Sequence, residues 1–232
     1  MMLWQATLRT GFLWRVLGFA GAALASCSVL AEVQLYETGP SQDSSYLRFV
    51  NGSTQALEVE ASASKVKLVL QPSSPASDFQ PVRARSEIKG ALLQGSARQD
   101  VALSVQPGEF ATVLGVTDGK GALAVKVLRE KPDSFNALKA SIGFVNVDPS
   151  CTAAGLKVAG RDVALFENAS GEAISRRMIN PVVLSVQLVC GGQAVGAPLD
   201  LGQLQAGQRY SVFVVPSAQG ARLVHSKDNV AN

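Results

Sequence analysis

The sequence contains few of the residues on which most catalytic and metal sites depend. There is a single histidine, His225, and there are only three cysteines in 232 residues. A Ser-His-Asp triad needs a histidine positioned by a carboxylate, and structural zinc sites use four Cys or His ligands. The sequence has no GxSxG motif and no glycine-rich phosphate-binding loop. We therefore expect no catalytic residue, no metal site and no cofactor, and we interpret His225 as an exposed residue near the end of the last strand.

Long apolar runs are also rare, and the main one lies near the N-terminus. Residues 1–31 contain Arg9 and Arg15, no acidic residue, an apolar run over 16–25 and small residues before the end of the segment. These features are typical of a cleaved signal peptide. No later run approaches the roughly 20 apolar residues of a membrane helix. We expect export to the periplasm, with a lipoprotein anchored through Cys27 in "LASC" as the alternative.

The charge balance and the aromatic content exclude some ligands. The formal charge of +3 falls to +1 when the two leader arginines are removed, so nucleic acid is not an expected partner. Both tryptophans lie in the leader, which leaves no indole to stack on sugar rings. A uronic-acid polymer would instead need arginine and lysine. We therefore name a candidate polyanion-binding set of four arginines: Arg83, Arg85, Arg176 and Arg177.

The cysteines of the mature chain predict a covalent link. Cys27 lies in the leader, which leaves Cys151 and Cys190. Two cysteines in an exported chain are most simply explained by one disulfide. A pair of metal ligands is the alternative, but it lacks companion residues.

The chain contains an internal repeat. "SYLRFVN" (45–51) recurs as "ASIGFVN" (140–146), and "VQPGEFATVLGV" (105–116) recurs as "LQAGQRYSVFVV" (204–215), which places Gly108 on Gly207. The offset changes from 95 to 99 residues while the order is kept. In the first copy, alternation places Arg48 on the face opposite to Leu47. The repeat predicts two halves with the same fold.

Each half is a succession of short strand patterns between turns, and in the first half these turns contain Asn-Gly at 51–52, Pro-Gly at 107–108 and Asp-Gly at 118–119. No segment of the mature chain sustains a helical apolar period. We predict an all-β fold with two tandem immunoglobulin-like or jelly-roll-type β-sandwich domains after the signal peptide. The expected bounds are 32–130 for the N-terminal sandwich, 131–139 for the linker and 140–232 for the C-terminal sandwich.

Three smaller expectations follow from the same patterns. Residues 71–81 are interpreted as a long loop within the first domain. Tyr210 follows "LQAGQR", a setting like the tyrosine corner, in which the hydroxyl braces the backbone. The C-terminal "SKDNVAN" (226–232) is expected to fray.

Three further segments stand out: "LYETGPSQDSSYLRFVN" (35–51), "SVQPGEFATVL" (104–114) and "IGFVNVDPSC" (142–151). Together they resemble the AlgF family of periplasmic accessory proteins of alginate O-acetylation. The resemblance spans essentially the whole mature chain and includes the duplication. These are framework motifs without a catalytic signature, so no catalytic residue is carried over.

The resemblance implies a non-catalytic adaptor in the O-acetylation of the exopolysaccharide alginate. Its expected partners are a membrane-bound acyl-transfer protein, periplasmic acetyl-handling proteins and the alginate chain itself. The alternative is an exported chaperone or adhesin-like binding module unrelated to polysaccharide. A third hypothesis is an acetyl carrier that holds the group as a serine or cysteine ester.

Overall fold

The computed structural model describes residues 44–62, 64, 66–118, 121–131, 136–169 and 171–231. The predicted signal peptide, 1–31, and Cys27 lie outside these residues. The described residues form strands and connecting segments, and no helix among them is long and apolar enough to cross a membrane. All of these strands belong to one compact unit.

The first half contains eight strands in two four-stranded sheets. They are β1 (Ser44–Asn51), β2 (Leu57–Ala61), β3 (Lys67–Leu70), β4 (Gln80–Arg83), β5 (Ile88–Gln94), β6 (Ala97–Leu103), β7 (Phe110–Thr117) and β8 (Leu123–Glu130). One sheet has the order β4-β1-β7-β8 and the other has the order β3-β2-β5-β6. We call the pair the first sandwich.

The second half repeats this arrangement. Its strands are β9 (Ala140–Asn146), β10 (Ala154–Val158), β11 (Ala164–Ala169), β12 (Ser175–Ile179), β13 (Val183–Cys190), β14 (Gln193–Gln203), β15 (Arg209–Val215) and β16 (Arg222–Lys227). The sheet orders are β12-β9-β15-β16 and β11-β10-β13-β14, which match the first half strand for strand. The predicted all-β fold with two sandwiches is therefore confirmed, and we call this pair the second sandwich.

The strand register reproduces the offsets of the sequence repeat. β1 runs parallel to β7 with Tyr46 opposite Phe110, and β9 runs parallel to β15 with Ser141 opposite Arg209. The two pairs of positions are related by 95 and 99 residues, as the repeat predicts. Gly108 and Gly207 precede β7 and β15 in turns with φ of 70° and 73°, a conformation that glycine adopts without a steric penalty. The duplication thus extends to backbone conformation.

Three apolar layers hold the four sheets together. One lies inside the first sandwich around Leu57 and Leu92, and one lies inside the second around Phe144 and Leu188. The third layer joins the sheets β4-β1-β7-β8 and β12-β9-β15-β16, which we call the inner sheets. It consists of side chains from both halves: Val50, Leu114, Val116, Leu128, Val145, Val147, Phe213, Val215 and Val224. Each such side chain stabilises the fold by about 1.5–3 kcal/mol relative to exposure.

The C-terminal segment is ordered against the first sandwich, so the expected fraying is wrong for the residues described. The backbone N–H of Phe79 donates to Asn229 O at 2.8 Å, and the N–H of Ala231 donates to Phe79 O at 2.9 Å. Phe79 itself is 2% exposed. The predicted loop, 71–81, is wrong at its end, because residues 80 and 81 begin β4, and Phe79 before them is a core residue that binds the end of the second half.

The predicted linker, 131–139, falls between the last strand of the first sandwich, β8, and the first strand of the second, β9. Residues 132–135 of it lie outside the described part of the chain. The exact domain bounds stay a prediction, because the two halves share an apolar layer and form one compact unit.

Candidate functional site

The most distinctive polar feature of the molecule is a buried arginine in β1. Arg48 is 0% exposed, although it carries a charge and lies between Leu47 and Phe49 in the middle of the strand. Its Nε donates to Thr112 Oγ1 at 2.9 Å, and its Nη2 donates to Ser211 Oγ at 3.0 Å. Its Nη1 donates to Ser226 Oγ at 2.9 Å and to Asp228 Oδ1 at 2.6 Å. Arg48 belongs to the first sandwich, whereas three of these four partners belong to the second half.

Two of the hydroxyl partners are related by the internal repeat. Thr112 of β7 and Ser211 of β15 are 99 residues apart, the offset that also relates Gly108 to Gly207. They therefore approach the guanidinium of Arg48 from equivalent positions of the two inner sheets. Each half thus supplies one hydroxyl acceptor from the same position of the repeat to the guanidinium of Arg48.

A second arginine enters the same region from the second sandwich. Arg176 of β12 donates through Nε and Nη2 to the two carboxylate oxygens of Glu130, both at 2.7 Å. Its Nη2 also donates to Asp228 Oδ2 at 2.8 Å. Gly143, opposite Arg176 on β9, makes room for it, because a Cβ there would lie 3.1 Å from Arg176 Cζ. We call Arg48, Glu130, Arg176 and Asp228 the interface cluster.

Aromatic rings complete the surroundings of Arg48. Its Cζ lies 4.3 Å from the ring centroid of Phe79 and 5.6 Å from that of Phe213. A guanidinium over a desolvated aromatic face is held by cation–π attraction of about 2 kcal/mol. One ring comes from each half, so these contacts also join the two sandwiches.

The buried carboxyl group of Asp228 has a lowered pKa in spite of its burial. Burial alone would raise the pKa of Asp228, but the charges and hydrogen bonds of Arg48 and Arg176 lower it below its ordinary value. Burial likewise opposes ionisation of Arg176, yet Glu130 and Asp228 raise its pKa. The interface cluster contains two positive and two negative charges, so its formal charges cancel. Such a pairing is what makes charge burial tolerable.

A further arginine joins the sandwiches at another point of the same boundary. Arg222 of β16 donates through Nη2 to the carbonyl oxygens of Gly52 and Ser53, both at 2.8 Å. Lys126 of β8 pairs with Glu172 at 2.8 Å on the surface. The boundary is thus fixed by directional bonds as well as by apolar packing.

The interface cluster is built for joining sheets rather than for chemistry on a substrate. The hydroxyl of Ser211 donates to Asp228 Oδ2 at 2.8 Å, but Ser211 is 1% exposed. A substrate cannot reach an atom that is covered on both sides by the inner sheets. The hydrogen bonds of the cluster instead fix one relative register of the two sandwiches.

The only histidine lies in β16 and is partly buried, so its expected exposure is not what the structure shows. Burial lowers the pKa of His225, and the charge of Asp200 partly offsets this effect. Its neighbours on β16 are Val224 and Ser226, as the sequence requires. Among the residues described, there is no group of three or more His, Cys, Asp or Glu that could hold a metal ion.

The predicted disulfide is confirmed. Cys151 and Cys190 are bonded, with a Cα–Cα distance of 5.0 Å. Cys151 is 2% exposed and packs in the apolar layer of the second sandwich. The bond connects the segment before β10 with the end of β13, which are adjacent in one sheet. The role of Tyr210 is also confirmed, because its hydroxyl accepts the backbone N–H of Gln205 at 3.1 Å.

The four arginines proposed for polyanion binding occupy different environments. Arg83 and Arg85 are exposed at and after the end of β4. Arg177 is exposed on β12 and donates to the carbonyl oxygens of Ala164 and Leu165. The side chain of Arg176 is only 7% exposed and is bound to the carboxylates of the interface cluster. Polymer binding stays a prediction, with Arg83, Arg85 and Arg177 as the members that face solvent.

Sequence reasoning did not single out Arg48, Glu130 or Asp228. One signal was available, because β7 and β15 are apolar at consecutive positions instead of alternating. Such runs are typical of strands that are buried on both faces. Arg48 lies on β1, which is paired with β7. If both faces of β7 are buried, both faces of β1 are buried beside it, and Arg48 then needs a buried ionic partner.

Comparison with protein-family models gives no match, and comparison with curated proteins gives none either. Among solved structures, the C-terminal domain of AlgF from P. aeruginosa is 25% identical, with a TM-score of 0.33 over 39% of this chain and 98% of that domain. A proposed cell adhesion protein from Bacteroides uniformis is 9% identical, with a TM-score of 0.30 over 83% of this chain and 100% of that one. The TIE protein of Bacillus anthracis is 8% identical, with a TM-score of 0.25 over 81% of this chain and 44% of that one. Similarities at these TM-scores assign neither a family nor a function.

Proposed function

We propose that the protein is a periplasmic, non-catalytic accessory protein required for O-acetylation of an exopolysaccharide, with alginate as the expected polymer. The proposal rests on the three sequence segments that resemble the AlgF family. In this role the protein would organise the acetyltransferase assembly and would not itself transfer the acetyl group.

The observation that carries the proposal is the location of those segments in the fold. The first contains Arg48, the second contains Thr112 and the third contains Cys151. Arg48 and Thr112 are bonded to each other at the boundary of the sandwiches, and Cys151 forms the disulfide. The resemblance therefore falls on residues that determine how the two sandwiches are built and joined. A shared framework of this kind supports a shared scaffold role.

The joined sandwiches are suited to holding partners at fixed positions. Buried ion pairs and an apolar layer restrict movement of one sandwich relative to the other. The outer surfaces and edge strands then present docking sites at a constant separation. The partners in this proposal are the membrane-bound acyl-transfer protein and the periplasmic acetyl-handling proteins of the system.

Direct contact with the polymer is a second part of the proposal. Arg83 and Arg85 would pair with uronate carboxylates, because arginine matches the planar carboxylate with two hydrogen bonds. Binding of mannuronate oligomers should then weaken as salt is raised, and Arg83→Ala with Arg85→Ala should weaken it further. Unchanged binding in the double variant would remove these residues from the proposal.

The experiment that tests the function is acetyl-ester analysis of polysaccharide from a strain in which this gene is deleted. The expected result is polymer of normal yield that lacks acetyl esters, with acetylation restored by the intact gene. Normal acetylation in the deletion strain would overturn the proposal. An exported chaperone or adhesin-like role would then predict a defect in surface assembly or attachment instead.

A further inference from the structure

The strand β3 is an unpaired edge of the first sandwich. It is the terminal strand of the sheet β3-β2-β5-β6, and its four residues pair only with β2 among the strands described. An edge strand presents unpaired backbone N–H and C=O groups on its free side. These groups can bind another extended backbone.

The side chains along this edge are unusually apolar for a solvated strand. Val66 is 78% exposed, Leu68 is 38% exposed and Val69 is 48% exposed. Because Leu68 and Val69 are consecutive, their side chains point to opposite faces of the sheet, and apolar groups are exposed on both faces. We call Val66, Leu68 and Val69, with the backbone of β3, the β3 edge.

The lysine of this strand does not protect the edge. Edge lysines commonly oppose the addition of another strand by extending into solvent. Here the ammonium of Lys67 lies over its own sheet, 3.1 Å from Glu58 Oε2 and 2.8 Å from Glu60 Oε1. The charge is directed away from the free side, and the apolar side chains are left uncovered there.

The second sandwich serves as an internal comparison, because two carbonyl groups of its equivalent edge accept hydrogen bonds from an arginine. β11 occupies the place of β3 in the matching sheet. Arg177 reaches from β12 to donate to the carbonyl oxygens of Ala164 at 3.3 Å and Leu165 at 3.0 Å. Ala164 and Leu165 are partly buried, although Val163, directly before β11, is 51% exposed.

The position that corresponds to Arg177 in the first half carries a different residue. Arg177 lies opposite Ile142, and Gln80 lies opposite Leu47, the residue 95 positions before Ile142. Glutamine is shorter than arginine and has no positive charge. The two halves therefore share a topology, yet only the second has an arginine from the neighbouring strand on its edge.

We propose that the β3 edge is a docking site for an extended segment of a partner protein, which adds to the sheet as a fifth strand. Main-chain hydrogen bonds would provide affinity, and alternate apolar side chains of the segment would cover Leu68 and Val69. The biological meaning of this contact rests on the proposed scaffold role, but the contact itself can be tested independently of it.

The size of the edge argues for a peptide segment rather than for a second copy of this chain. A stable dimer buries about 800 Å² on each partner. A strand of four residues, with Leu68 and Val69 exposed on it and Val66 exposed directly before it, is too small to supply such an area by self-pairing. A short extended segment of a partner needs only this strand.

The charges of the neighbouring face indicate the character of the segment. Glu60 pairs with Lys67 and with Arg98, and Arg98 also pairs with Asp100. Of these residues, Glu60, Lys67 and Arg98 line an open cleft of about 270 Å³ beside β3, together with Ser62 and Ser64. Because their charges largely cancel one another, an uncharged segment with apolar residues at alternate positions is the expected ligand.

The test is site-specific photocrosslinking in the producing cell with the full chain. A benzophenone amino acid replaces Val66, and the same residue at Val183 is the control, because Val183 is 66% exposed on the second sandwich. The Val66 probe is made with and without Val69→Lys, which adds a charge to the β3 edge. Crosslinked peptides are identified by mass spectrometry, and the melting temperature of each variant is measured.

The expected result is one discrete partner crosslinked at Val66, through a segment with apolar residues at alternate positions. This product should fall at least tenfold with Val69→Lys and should be absent with the Val183 probe, at unchanged melting temperature. A crosslink only to a second copy of the chain would overturn the proposal, as would no product or equal products at Val66 and Val183.

The acetylation assay separates this proposal from the proposed function. If a partner segment crosslinks at Val66 but the deletion strain acetylates its polymer normally, the docking site is retained and the acetylation role is rejected. If the deletion strain loses acetylation but the β3 edge gives no crosslink, the acetylation role is retained and the docking site is rejected.

Discussion

Arg48 and Arg176 bind the same carboxylate from opposite sandwiches. Arg48 Nη1 lies 2.6 Å from Asp228 Oδ1, and Arg176 Nη2 lies 2.8 Å from Asp228 Oδ2. Asp228 follows the last strand of the second sandwich and has a side chain that is 2% exposed. One carboxylate thus neutralises a buried charge from each half, in addition to the other polar contacts and the apolar layer that join the sandwiches.

Replacing this carboxylate should destabilise the whole molecule. Asp228→Ala leaves Arg48 without its ionic partner and removes one of the two carboxylates bound to Arg176. Removing one partner of a buried ion pair costs about 3–5 kcal/mol. Urea unfolding followed by circular dichroism measures this change as a lower midpoint.

The matched control is Asp162→Ala, which removes a carboxylate that pairs with Lys157 in solvent. The side chain of Asp162 is 92% exposed, so we expect little change in the unfolding midpoint. Equal midpoints for Asp228→Ala and the unaltered protein would show that the interface cluster does not stabilise the fold.

The stability of the protein should depend on pH through Asp228. Because the folded protein has a lowered pKa for this carboxyl, its contribution is fully present above the ordinary value of 3.8. The contribution is lost as the pH falls from there through the pKa of the folded state. We expect the unfolding midpoint to decrease below about pH 4 in the unaltered protein.

Asp228→Asn removes this titration and should flatten the decrease in that pH range. A decrease of the same steepness in Asp228→Asn would assign the acid sensitivity to other carboxyl groups. Denaturant unfolding at several pH values between 2 and 6 gives the comparison.

Removing the disulfide should lower stability by a mechanism that acts on the unfolded chain. Cys151 and Cys190 are separated by 39 residues. Cross-linking a loop of this length contributes about 4 kcal/mol in the chain-entropy model. The variant with both residues changed to Ala is expected to unfold at a lower urea concentration. The loss in its free energy of unfolding should approach this value.

A reducing agent provides the control for this experiment. It should destabilise the unaltered protein and leave the double Ala variant unchanged. If reduction has no effect on the unaltered protein, the disulfide makes no contribution under those conditions.

The hydroxyl of Tyr210 should contribute a smaller amount. Tyr210→Phe keeps the ring and deletes the acceptor of the Gln205 N–H, with an expected loss of about 1 kcal/mol. Tyr46→Phe is the matched substitution in the first sandwich, where the ring stacks on Phe110 and that contact is retained. A loss for Tyr210→Phe no larger than that for Tyr46→Phe would contradict the bracing role.

The repeat in the sequence was sufficient to predict the paired architecture, and the reason lies in strand geometry. The offsets between "SYLRFVN" and "ASIGFVN" and between the Gly108 and Gly207 turns relate strands of the first half to strands of the second. Because side chains alternate along a strand, a constant offset preserves both register and face. The same local reasoning identified the disulfide and the bracing hydroxyl of Tyr210.

Arg48 shows where such reasoning fails. Alternation correctly separates Arg48 from Leu47, but it does not say whether the face that carries Arg48 meets water or another sheet. That decision depends on Asp228, which is 180 residues away in the chain. The C-terminal segment is mostly polar by composition and was expected to fray, yet its carboxylate is required by two buried arginines. Long-range charge pairing of this kind leaves no local pattern.

The distance between Arg48 and Asp228 also sets an order of events during synthesis. Asp228 follows all the strands, and 180 residues separate it from Arg48. At about 5–20 residues per second, the ribosome needs roughly 10–40 s to make the partner of an arginine that has already emerged. During that interval, a first sandwich that had already folded would present an unneutralised charge and uncovered apolar side chains on its inner sheet. The joined sandwiches can therefore form only after the last residues of the second half have been made.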